Sequence, residues 1–284
     1  MHGAIVGTAA ANLARTPFLV HMRHHIDDVR LTGGRHHMAV DRALARAADE
    51  VIVPSHAAKR YLVAEEGIDA QRIHVVHLGF DADALRGNDA DGLALRRSLG
   101  IADGAFVAGC VARMSPNKGH RFLFAALGRL AEEQPDARLI LVGEGDPGQY
   151  REEARAAGVA ERTLFLGHRR DVPACLRAMD VVVLPSLSES FNQVIIEALA
   201  AERPVVATDV GGAREVLTDG DNALLVPPGD AGALHAALRR VALDPELAAR
   251  LRARARPSVE RFSPAQMVGG HLAVYARAEA ARAA

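Results

Sequence analysis

The chain reads as an α/β protein built on mainly parallel sheets in two domains, the first of them incomplete. Three observations predict this. Short apolar runs of strand length alternate with longer amphipathic stretches along almost all of the 284 residues. The rhythm breaks at a polar, glycine-interrupted segment between Asp81 and Gly100, the best linker candidate, and then restarts. Before that break there are about three strand-like runs, against the roughly five or six of a typical sheet.

The elements follow in order. The opening MHGAIVGTAAANLA lacks the Lys/Arg-rich start of a leader and is interrupted by Asn12 and Arg15, so a helix packed on a sheet is expected. PFLVHM reads as a strand, MAVDRALARAAD as a helix, EVIVPS as a strand, HAAKRYLVAEEG as a helix and RIHVVHLG as a strand. After the break, AFVAGCVA, ARLILVG, RTLFLG, DVVVLPS, PVVATDV and NALLVPPGD are predicted strands. HRFLFAALGRLAEE, QYREEARAAG and NQVIIEALAA are predicted helices between them, and the pattern is helical from Ala231 onward, with a break at Pro257 and a restart at Ser263-Pro264. A partial first sheet leaves an edge unpaired, so the sequence predicts either a fragment or an edge covered by another chain.

Composition narrows the function. With 34 basic against 35 acidic residues and a net charge of -1, the chain offers no polycationic surface, and nucleic acid is excluded as an expected partner. It has no Trp and only 4% aromatics, which also argues against base stacking. Cys110 and Cys175 sit in apolar runs and read as buried free thiols of a reducing compartment. No run approaches the roughly 18 apolar residues that span a bilayer. A cytoplasmic protein is expected, with peripheral docking at the inner face of the membrane left open.

In open α/β sheets ligands bind at the carboxyl ends of strands, so the loops there are the places to look for chemistry. RMSPNKGH carries Arg113 and Lys118 directly after a strand; two cations beside a helix start suit a diphosphate, although such a loop reads equally as a solvated basic turn. GEGDPG, from Gly143 and Glu144 to Gly148, matches G-x-G-x-x-G, the dinucleotide fingerprint. Glu144 and Asp146 would repel a pyrophosphate, the next strand ends without an acidic residue for the ribose, and the loop does not follow the domain's first strand. PSLSESFNQVIIEALA places Glu189 in a loop and Glu197 inside the following helix, with the amides of Phe191, Asn192 and Gln193 at the helix start available to a phosphate or sugar oxygen. A capping carboxylate and a surface glutamate would explain the same residues. DVGGAREV puts Gly211 and Gly212 where bare backbone could approach a ligand.

Taken together these loops resemble the retaining GT-B glycosyltransferases of group one, family four. The pattern runs from about Phe106 to Tyr275, with weaker matches back to His2. It comprises the E-x7-E motif ESFNQVIIE, then EALA, a Pro-Val strand and GG-x-x-E, with GCVARMSPNKG and VGEGD upstream. The resemblance implies a GT-B fold of two Rossmann-like domains: a partial acceptor-side domain with linker at 1–97, a nucleotide-sugar-binding domain at 98–256, and a helix at 257–284 packing back toward the first. It implies that Arg113 and Lys118 hold the donor diphosphate without a metal, that Glu189 binds the transferred sugar, and that Glu197 binds the ribose. Ser190 and the amides after it, with Gly211, Gly212, Gly143 and Glu144, would line the donor site, and His24 in HMRHH would face the cleft. The implied partners are a nucleotide-diphospho-sugar donor and a saccharide or lipid-linked acceptor, with no cofactor, in envelope glycan or lipopolysaccharide synthesis. Two departures stand out: Asn192 replaces the family's usual Gly, and the opening strand and glycine-rich loop of the family have no match, so the first domain looks truncated.

Other readings compete. His21, His24, His25, His36 and His37 cluster but lack a zinc-like spacing with Cys or carboxylates. Asp81–Asp83 and Asp89–Asp91 match D-x-D but read as linker turns. A nucleotide-sugar-binding module or inactive remnant remains the alternative to an active transferase. A glycoside hydrolase using Glu189 and Glu197 would need a carboxylate spacing that sequence cannot supply.

Overall fold

Apolar runs bounded by capping residues dictate the local structure. The computed structural model describes residues 2–24, 35–85 and 87–283. They form two units: Met1–Phe80 with Ser188–Phe191 and Phe262–Ala284, and Asp81–Leu187 with Asn192–Arg261.

In the first unit α1 (His2–Leu13) precedes β1 (Val20–Met22), followed by α2 (Arg35–Ala47), β2 (Glu50–Val53), α3 (His56–Glu66) and β3 (Ile73–Val75). The three strands are parallel in the order β1-β2-β3. Alternation along β2 sorts its side chains. Val51 and Val53 pack with Ala58, Leu62 and Ile73 on one face, and Ile52 packs with Val76 and Val274 on the other. Helix α3 is framed by two local signals. Ser55 caps its start by accepting from Ala58 N at 3.0 Å, and Gly67 ends it in the left-handed region at φ 64.

The second unit contains α4 (Asp89–Ser98), β4 (Val107–Val111), α5 (His120–Glu133), β5 (Arg138–Val142), α6 (Gly148–Ala156), β6 (Thr163–Gly167) and α7 (Val172–Arg177). It continues with β7 (Val181–Leu184), α8 (Gln193–Ala200), β8 (Val205–Thr208), β9 (Leu224–Val226), α9 (Ala231–Leu243) and α10 (Pro245–Ala255); α11 (Pro264–Ala283) belongs to the first unit. Six parallel strands lie in the order β6-β5-β4-β7-β8-β9. Apolar residues of α5 recur at helical spacing, so Leu123, Phe124, Leu127 and Leu130 join one core with residues of β4, β5 and β7. Burying each such side chain stabilises by about 1.5–3 kcal/mol. The chain runs outward from β4 in one direction to β6, returns to β7, and runs outward in the other direction to β9. The carboxyl ends of β4 and β7 therefore flank the topological switch point, where ligands of doubly wound sheets bind.

One element departs from expectation. The segment read as a linker contains α4, capped by Asn88 Oδ1 accepting from Ala90 N at 2.9 Å. Its Gly92 looked like a break. A Cβ there would lie 2.5 Å from the Arg177 backbone, so the glycine permits close approach of α4 to α7. Accordingly Asp89 and Asp91 stand in a helical first turn. Asp81 does form a turn, its Oδ1 accepting from the amides of Asp83 and Ala84 at 3.0 and 3.2 Å. Cys110 and Cys175 are buried free thiols. Among the described residues no helix is long and apolar enough to cross a membrane.

Candidate functional site

The loops at the carboxyl edge of the second sheet are stitched to one another in strand order. Met114 N, in the loop after β4, donates to Glu144 O in the loop after β5 at 2.7 Å. On the other side Leu187 N, after β7, donates to Asn117 O at 2.7 Å, and Thr208 Oγ1, ending β8, donates to Ser186 O at 2.5 Å. The segments bearing Gly143 and Glu144, Arg113 and Lys118, the approach to Asn192, and Gly211 are thus successive neighbours along one rim. Arg113 is exposed and Lys118 half-buried. Lys118 ends the short turn Pro116–Lys118, which Gly119 closes in the left-handed region at φ 68.

The glycines of the VGEGD loop serve packing. Gly143 has φ 153, and a Cβ there would lie 1.9 Å from Ala112 O. This close contact with the neighbouring loop accounts for the G-x-G spacing without a dinucleotide. Glu144 is exposed, 3.4 Å from His168 Nδ1.

Helix α8 begins at the switch point. Asn192 is its N-cap at φ -88 and ψ 101, with Oδ1 accepting from Val194 N at 3.1 Å. A negative φ suits any residue, so asparagine stands here without strain in place of the glycine of the resembling family, and Gln193 opens the helix. Glu197, one turn further on, is half-buried, and burial pushes its carboxyl above the usual carboxylate range. Among the described residues no hydrogen-bond donor meets that carboxylate. Of the two glycines in DVGGAREV, only Gly211 (φ 55) needs glycine's freedom. Gly212 is buried at φ -83, capping the turn Ala213–Glu215.

Residues 188–191 of the same loop cluster with the first unit. The Ser190 hydroxyl, expected to line the donor site, donates to His24 O. The Phe191 side chain is buried against His77 and Phe262, with centroids 5.6 and 6.0 Å away. Glu189 is half-buried between these anchored neighbours and Ser188. His24 follows β1 and lines an apolar cavity of about 270 Å³ with Met22, Ile52, Val76, Leu78 and Met267. His25 lies outside the described residues, as do the side chains of His36 and His37. Among the described residues no group of three His, Cys, Asp or Glu side chains could hold a metal ion.

Two residues escaped the sequence reading. Ser55 stands before a helix as an ordinary cap, and its second bond, to Ser190 O at 2.7 Å, has no local signature. His120 opens α5 fully buried, edge-on to Tyr150 at 5.1 Å, with neither ring nitrogen hydrogen-bonded. Burial, then the nearby Lys118 charge, lower its pKa from 6.5 to about 4, so the ring is neutral at pH 7.

Comparison with known proteins bears on the family and the fold. A family model described as group 1 glycosyl transferases matches residues 105–244, and one described as Glycosyltransferase Family 4 matches residues 1–84. The D-inositol 3-phosphate glycosyltransferase of Geodermatophilus obscurus is 36% identical over 250 residues, covering 84% of this chain and 53% of that protein. Its counterpart in Streptomyces bingchenggensis is 31% identical over 294 residues, covering 96% and 64%. The crystal structure of Anabaena HepE in complex with UDP-glucose superposes with a TM-score of 0.87 at 30% identity, covering 98% of this chain and 76% of that one. The chain spans between 38% and 65% of the length of the curated relatives it matches. By sequence pattern, strand order and these matches, the chain belongs to the group 1, family 4 glycosyltransferases of GT-B fold.

Proposed function

We propose that this protein moves a glycosyl residue from a nucleoside-diphospho-sugar to a saccharide or lipid-linked acceptor, with retention of anomeric configuration and without a metal. The observation that carries the reading is Glu197. A half-buried carboxylate whose pKa is raised by burial, on the helix that starts at the switch point, suits a ligand that brings hydroxyls to it. In this reading its ligand is the ribose. Arg113 and Lys118, on the adjoining loop, neutralise the diphosphate and the charge that grows on it as the glycosidic bond breaks, the task a metal performs elsewhere. Glu189 grips the transferred sugar, the helix-start amides and Gly211 approach the sugar or phosphate, and His24 belongs to the acceptor-side unit. The freed donor phosphate takes the acceptor's proton on the same face, so the protein's contribution is positioning and charge stabilisation. The uridine nucleotide bound by Anabaena HepE makes UDP-sugars the first donors to try. Envelope glycan synthesis on the cytoplasmic side of the membrane is the proposed setting.

The test is calorimetric titration with UDP and UDP-glucose, followed by labelled-sugar transfer to saccharide and lipid acceptors. Lys118→Ala is expected to weaken UDP binding about ten- to a hundredfold, the value of one charge-assisted hydrogen bond. Unchanged binding and turnover in that variant would remove the diphosphate assignment. Nucleotide binding without turnover on any acceptor would instead identify a binding module.

A further inference from the structure

Segment 188–191 belongs to the first unit and is held there by side-chain contacts at Ser190 and Phe191. Ser55 is fully buried, and its one hydroxyl is used twice: it accepts from Ala58 N at 3.0 Å and donates its proton to Ser190 O at 2.7 Å. The Ser190 hydroxyl in turn donates to His24 O. Phe191, 7% exposed, is enclosed by His77 and Phe262, whose own rings lie 5.3 Å apart. Glu189 directly precedes these two anchored residues, and α8, carrying Glu197, begins directly beyond Asn192. The backbone that aims Glu189 is therefore set by the end of β2 and the start of α3, some 135 residues away in sequence.

We propose that Ser55 is a positioning residue for sugar transfer: through the Ser190 carbonyl, its hydroxyl fixes the backbone that presents the Glu189 carboxylate. This rests on the reading of Glu189 as the sugar-binding group. Catalytic carboxylates tolerate displacements of only about 0.5 Å, and a misplacement of about 1 Å from a distant change costs about a hundredfold in rate. Ser55 thus combines capping of α3 with alignment of the donor-sugar loop. The same reasoning extends to the Phe191–His77 contact, which holds the loop from its other side.

The two roles of Ser55 separate by substitution. Glycine is tolerated at an N-cap but has no proton to donate, whereas threonine keeps both bonds. Ser55→Gly is expected to leave α3 and UDP affinity within about twofold of wild type. It should lower kcat for sugar transfer, or the preference for UDP-glucose over UDP, by at least tenfold, and Ser55→Thr should restore most of this. Independently of any ligand, amide hydrogen exchange in residues 189–194 should quicken at least tenfold in Ser55→Gly and return in Ser55→Thr, with α3 amides unchanged. Wild-type exchange in that segment, or parallel loss in α3 and throughout the chain, would overturn the proposal by reducing Ser55 to a cap. Glu189→Gln distinguishes the underlying reading. If it transfers sugar at the wild-type rate, the role of Glu189 fails while the exchange result still reports the anchor. If both variants lose activity, the double variant should be no worse than Glu189→Gln alone.

Discussion

Glu197, half-buried, and His120, fully buried, are ionisable residues whose pKa values burial shifts, and their expected behaviour differs because their chemistry differs. Glu197 has a raised pKa from burial alone. For an acid with a raised folded pKa, stability is full below the unfolded value and is lost as pH rises through the folded one. At pH 7 the charged form is therefore a cost to the free protein. Glu197→Gln should raise the thermal midpoint at pH 7 while weakening UDP about tenfold or more, the worth of a charged hydrogen bond to the ribose. A variant less stable than wild type would contradict this account. His120 shows the opposite pH dependence. Its folded pKa of about 4 lies below its unbound value of 6.5, so the unfolded chain takes up the proton first and stability falls as pH drops from 6.5 toward 4. The full effect approaches roughly 3 kcal/mol at about 1.4 kcal/mol per pH unit. Urea midpoints measured between pH 7 and 4 should fall less steeply in His120→Phe than in wild type.

At the scale of elements, the loops of the candidate site depend on backbone geometry as much as on charges. Gly119 sits at φ 68, and a Cβ there would lie 2.0 Å from Pro185 O, in the loop after β7. Gly119→Ala combines left-handed strain with a clash against backbone that cannot move aside, so it should cost about 2 kcal/mol or more by urea denaturation. It should also weaken UDP, because Lys118 is its neighbour; full UDP affinity in a destabilised variant would detach Lys118 from the nucleotide. Helices with strong periodicity and clear caps were legible in the sequence. HRFLFAALGRLAEE coincides with α5 from His120 to Glu133. The helix α4 was not, because Asp89, Asp91 and Gly92 are turn formers locally and become helical through their contacts with α7. The G-x-G of VGEGD was legible as a motif, but the partner that requires Gly143, the Ala112 carbonyl, lies in the loop after β4.

Across the second unit, a cluster of charges ties the segment after Phe80 into the fold. Asp89 Oδ1 accepts from Arg177 Nη1 at 3.1 Å and from Arg203 Nη2 at 3.0 Å, both guanidinium groups being buried. Burial, then the neighbouring Arg252 and Arg177, lower the Arg203 pKa to about 10, so the shared carboxylate opposes mutual repulsion in this cluster. Burial of Asp89 works against its ionisation, but hydrogen bonding to Arg177 and the Arg203 charge hold its pKa below the usual value. Its contribution is therefore present above the unfolded carboxylate pKa and lost as pH falls through the folded one. Asp89→Asn should destabilise by about 1–3 kcal/mol in urea. This is less than for a fully buried pair, because the Asp89 side chain is 66% exposed and screened by water. A second link, Arg96 Nη2 to Asp180 Oδ1 at 2.8 Å, fastens the other end of α4 beside β7. Loss of stability without loss of UDP binding is the expected signature of Asp89→Asn, and unchanged stability would mean the cluster holds nothing together.

Hydrophobic period, capping residues and glycine placement act over a few residues, so the sequence alone determined the alternation of strands and helices, the parallel α/β class and the loops that bear Arg113, Lys118, Glu189 and Glu197. Which strands become neighbours is decided by packing between residues far apart in the chain. Only the tertiary structure placed β4 beside β7 and made the switch point, half-buried Glu197, turned the supposed linker into α4, and attached Ser190 to Ser55. Each of these depends on a contact whose partner lies tens of residues or more away, and no local preference encodes such a contact.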